Sequence, residues 1–116
     1  MHIKQLEELL LKEMDVQIEK AESQSEKVIY GLFKTTILKK YKQMFDAELQ
    51  QGRVHKKNVD KAIDFCFDDV CVAYRLSQGM SDAQKEEDLK LAKSHLPAIR
   101  QFIFDILVSR NVRIED

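Results

Sequence analysis

At 116 residues the chain fits one domain, and with 44% hydrophobic and 34% charged residues it is too apolar for disorder and too charged for a bilayer protein. A net charge of −1 excludes a surface dominated by one sign, and the chain has no run of the roughly 18 apolar residues that a spanning helix needs. The charge is segmented all the same. Residues 1–26 and 58–88 are acidic, whereas 27–57 and 89–116 are basic, a pattern that neighbouring helices use to favour one arrangement over others.

Three glycines, one proline and no tryptophan, among many Leu, Lys, Glu and Gln, favour long helices. The N-terminus has acids inside its only apolar patch and no small-residue cleavage site, so no signal peptide is expected. Cys66 and Cys71 stand five apart in a helical pattern, which points them away from each other. Two such cysteines make no disulfide framework and predict reduced, buried thiols in a cytoplasmic protein.

The first helix is expected from about Ile3 to Ala21, with Ile3, Leu6, Leu10, Met14 and Ile18 at near-helical spacing. Ser23-Gln-Ser-Glu26 has the form of a capping box and predicts a new start there. The second helix is expected over Gln24–Gln50, with Ile29, Leu32, Phe33, Ile37, Tyr41 and Met44 on its main face. Gly52 then supplies the usual C-terminal stop. Arg53-Val-His-Lys-Lys57 reads as a basic loop, and Asn58 as the cap of a third helix reaching about Ser77. Val59, Ile63, Cys66, Phe67, Val70 and Tyr74 form its main face.

Gln78-Gly79 closes that helix, and Ser81-Asp-Ala-Gln84 caps a fourth. Loops this short imply antiparallel neighbours. Pro97 should kink or split the fourth helix, since it lacks an N–H and its ring clashes with the preceding turn. Beyond it, Ile99, Phe102, Ile103, Ile106 and Leu107 make one apolar face, and Phe104 and Val108 a second. Residues 110–116 are expected to form a frayed tail. The predicted fold is all-α: a single antiparallel four-helix bundle over residues 1–116, the last helix kinked or split at Pro97.

The candidate functional residues follow from surplus. Phe65, Val72 and Leu76 make a second apolar stripe on the third helix, and Phe104 and Val108 do so on the fourth. Either these helices are central and covered on two sides, or they keep a face for a partner. Asp60, Asp64 and Asp68 recur at i, i+4, i+8, where like charges repel. Such a stripe can orient a partner. The expected role is a non-enzymatic interaction module that forms a homodimer or binds another protein through Phe65, Val72, Leu76, Phe104 and Val108, oriented by the three aspartates. The alternative is a nucleic-acid-binding regulator using Lys39, Lys42, Arg53, Lys56 and Lys57 on phosphates.

Catalysis has little support. His2, His55 and His95 are scattered, and none has Glu three residues before it. HExxH, CxxC, GxGxxG and the phosphate-binding glycine loop are all missing. Glu19-Lys-Ala-Glu22 is a lone ExxE without a second acidic pair. No catalytic residue, metal or cofactor is expected.

Overall fold

The computed structural model describes residues 1–39 and 42–116, Met44 by its backbone alone. Lys40, Tyr41 and the Met44 side chain, expected on the second helix, lie outside the described residues. Among those described are five helices and two short strands, in the order α1 Ile3–Lys20, α2 Gln24–Thr36, α3 Lys42–Gln50, β1 Arg53–His55, α4 Lys56–Leu76, α5 Asp82–Ser109 and β2 Arg113–Glu115. The protein is predominantly helical, as its composition implies.

Helix starts follow local chemistry. The Ser23 hydroxyl accepts from the Glu26 N–H at 3.1 Å, and the Glu26 carboxylate accepts from the Glu22 N–H at 3.2 Å. Ser81 accepts from the Gln84 N–H at 3.2 Å. Both serines thus satisfy donors that a helix start leaves open. At α1 His2 takes the same role, with Gln5 completing the reciprocal pair. Gly52, at φ +72°, lets the chain turn out of α3 at no steric cost.

Five expectations are corrected. The second helix is not continuous to Gln50: α2 ends at Thr36, and Leu38 takes a left-handed φ of +64°. Thr35, Thr36 and Ile37 are a β-branched run that holds a helix weakly. Both threonine hydroxyls bond back to the Leu32 carbonyl, while Ile37 and Leu38 turn into the core. Asn58 does not cap α4, which begins at Lys56; it lies inside the first turn, buried, and donates to Glu48.

The tail is not frayed. Arg113, Ile114 and Glu115 pair in parallel with Arg53, Val54 and His55, and Val112 is buried ahead of them. Of the segment expected as a basic loop, Arg53–His55 is thus the partner strand, and Lys56 and Lys57 open α4. Finally, of the two outcomes expected at Pro97, kink or split, the split does not occur: the last helix runs unbroken from Asp82 to Ser109. Ala92 before the proline and Ile99, Ile103 and Leu107 after it are all buried. Burial on both sides outweighs the cost of about 3 kcal/mol that an interior proline carries.

One hydrophobic core runs through the molecule. Leu6, Leu10 and Met14 of α1, Ile29 and Phe33 of α2, Phe45 of α3, Val54 of β1, Val59 and Val70 of α4, and Ile99, Ile103 and Leu107 of α5 are wholly enclosed. Contacts between α4 and α5 pair rising numbers with falling ones: Asp60 with Arg100, and Ser77 with Lys85. With α5 about 42 Å long at 1.5 Å per residue, the molecule is elongated, 46 × 24 × 21 Å.

Candidate functional site: the outer face of α4

The inner face of α4, with Val59, Ile63, Cys66, Val70 and Tyr74, is buried. Its opposite side carries Phe65, Val72 and Leu76, exposed by 38%, 44% and 77%. At 3.6 residues per turn these three fall within about 40° of one another. They form a line rather than a scatter, and half of the large hydrophobic residues exposed on the described surface lie on it. Scattered exposed hydrophobics are ordinary, whereas these three are aligned on one side of α4.

The other predicted interface residues separate from this line. Asp64 and Asp68 flank it, exposed and without an ion pair among the described residues. Asp60 accepts from Arg100 Nε at 2.5 Å, and the same guanidinium lies 4.6 Å from the centre of the Phe104 ring. Arg100 therefore covers Phe104 and neutralises Asp60, so neither is as available as the wheel suggested. Val108 is 62% exposed. Given the α4–α5 pairing it lies past the Asp60 end of α4, at the far end from Leu76.

Beside the line, between α4 and α5, runs a groove of about 530 Å³ lined by Phe67, Cys71, Tyr74 and Leu89 and rimmed by Arg75 and Lys93. The Tyr74 hydroxyl is buried without a hydrogen-bond partner of regular geometry. Burial, then the neighbouring Asp88 carboxylate, pushes its pKa up to about 12. Burial also raises the Cys71 thiol, with Asp68 adding to the effect and Arg75 opposing it. Cys66 is more enclosed, and burial pushes its pKa up to about 11 despite a 3.0 Å contact with Thr36 Oγ1. Both shifts disfavour the thiolate, the reactive form.

The basic set is dispersed among carboxylates. Lys42 meets Glu7 at 2.6 Å, Arg53 meets Glu115 at 3.2 Å, and Lys56 meets Asp116 at 2.9 Å. Lys39 and Lys57 are exposed. Two histidine clusters escaped the sequence reading. His55 Nδ1 lies 2.9 Å from Glu48 Oε2, and its Nε2 lies 3.5 Å from Glu115 Oε2. His95 Nδ1 lies 2.8 Å from the Tyr30 hydroxyl, and its Nε2 lies 3.4 Å from Glu26. Each histidine cross-links elements distant in the chain, which no local spacing announces.

Among the described residues no group of three or more His, Cys, Asp or Glu is arranged to hold a metal ion, and no helix is long and apolar enough to cross a membrane. Compared with known proteins, the chain matches no family model, and no curated protein or solved structure is significantly similar to it.

Proposed function

We propose that the chain is a small non-enzymatic protein-interaction module of the cytoplasm, docking a protein partner on the outer face of α4. The observation that carries this reading is the exposed line Phe65, Val72 and Leu76 beside the exposed Asp64 and Asp68, which form no ion pair among the described residues. An apolar strip supplies contact area, and flanking charge fixes register and suppresses wrong partners. The scaffold is an antiparallel four-helix arrangement of α1, α2, α4 and α5. In it α5 is kinked at Pro97, whose missing N–H leaves the Lys93 carbonyl without its helical donor. Two unpaired cysteines suit a reducing compartment. The nucleic-acid alternative has less behind it, because Lys42, Arg53 and Lys56 already meet carboxylates.

Photo-cross-linking tests the reading. A photoreactive side chain replaces Val72 in one variant and Lys12, exposed on α1, in a control. In cells making the full chain, position 72 is expected to yield a protein adduct of discrete mass that position 12 does not. No adduct at position 72, or the same adducts from both positions, would overturn the proposal.

A further inference from the structure

The charges beside the exposed line follow a pattern of their own. Asp68 and Arg75 stand four residues before and three after Val72, both exposed, and neither has an ion pair among the described residues. On the helical wheel they fall within about 20° of each other, on the same side of the apolar line. Phe65 and Leu76 extend the line beyond them, one at each end. Read along α4, the face therefore runs apolar, acidic, apolar, basic, apolar, with Val72 near its middle.

A face of this kind is complementary to itself. In a two-fold pair of antiparallel helices, a residue on one flank meets the same flank of the second helix, at the mirrored height. An axis passing beside α4 between Cys71 and Val72 sets Asp68 level with Arg75 of the second copy, and Arg75 level with its Asp68. The same operation brings Phe65 of each copy to the end of the line that carries Leu76 of the other, with the two Val72 side chains at the centre. Had the two charges lain on opposite flanks, or carried the same sign, this pairing would be absent or repulsive. Asp69, on the other flank, lines with Phe65 the hollow beside Thr36 and Lys39.

We propose that the partner of this face is a second copy of the chain, packed α4 against α4 in antiparallel fashion about that axis, with two reciprocal Asp68–Arg75 pairs setting the register. The inference rests on the reading of the α4 face as a docking surface and names its occupant.

Charge exchange tests it on the full-length protein. Sedimentation equilibrium of the unaltered chain is expected to show a concentration-dependent monomer–dimer equilibrium. Asp68→Arg places two arginines against each other twice over, and Arg75→Asp does the same with aspartates. Each variant alone should raise the dimer dissociation constant by about tenfold or more. An equimolar mixture of the two restores both opposite-charge pairs and should re-form a dimer holding one copy of each. Leu76→Asp, at the most exposed position of the line, should abolish the dimer by itself. Thermal melts of all three variants establish that they fold.

An unaltered chain that stays monomeric at every concentration would overturn the inference. So would single variants that dimerise as well as the parent, or a mixture that fails to recover the dimer. If the chain is monomeric but position 72 still cross-links to a different protein, only the second-copy assignment falls. If those adducts are absent too, the docking surface falls with it.

Discussion

Glu48 gathers three donors: the His55 N–H at 2.8 Å, His55 Nδ1 at 2.9 Å and the Asn58 amide at 2.8 Å. It therefore serves the first turn of α4, where His55 occupies the cap position without a side-chain bond of its own. Burial works against its charge, but the bonds from His55 and Asn58 outweigh it and hold the Glu48 pKa below the usual carboxylate value. Glu48→Gln keeps one acceptor and loses the charge, and should cost about 1–3 kcal/mol in urea unfolding at neutral pH. The pH dependence follows from the same shift. Between the two pKa values the unfolded state binds the extra proton, so this contribution is complete above the unfolded value near 4.5. It is lost as pH falls through the lower folded value. The parent should therefore lose more stability than Glu48→Gln on acidification below about pH 4.5. Superimposable acid limbs would refute the assignment.

At the scale of elements, Pro97 offers the clearest test. The proline ring is exposed, so replacing it removes no core packing. Pro97→Ala restores one backbone donor within α5 and should raise stability by about 1–3 kcal/mol, read as a higher urea midpoint at unchanged slope. An unchanged midpoint would mean that the helix carries no penalty there. The elements themselves differed in how readily they could be read. Ser23, Ser81 and Gly52 marked their boundaries correctly because caps and stops depend on neighbours in sequence. The end of α2 had a signal as well, in Thr35-Thr36-Ile37, but the apolar spacing across residues 29–44 masked it. The paired strands could not be read at all. Three residues are too few for an alternating pattern, and Arg53 meets a partner 62 residues away. The α4 line was legible because periodicity alone separates Phe65, Val72 and Leu76 from the buried face. The half-burial of Phe104 was not legible, because its cover is a side chain, Arg100, whose course depends on Asp60 across the helix pair.

For the molecule as a whole, the question is whether it unfolds as one body. A single buried cluster includes residues from every helix, from Val54 of β1 and from Val112 ahead of β2. The parallel strand pair then ties the chain's end to the turn between α3 and α4. With no part of the core separable from the rest, unfolding should be cooperative. Cys66 reports on this from the centre of α4, against Thr36 at the end of α2. With its pKa pushed up to about 11, only about one thiol in a thousand is ionised at pH 8, and burial blocks reagent access to the rest. In a Cys71→Ser background, Cys66 should resist a thiol reagent in the folded state and become reactive along the same urea curve as the loss of helical circular dichroism. Coincident midpoints are the expected result. Reactivity at lower urea would show that the seam between α2 and α4 opens while the remaining helices stay formed, and the core would then be two cooperative units instead of one.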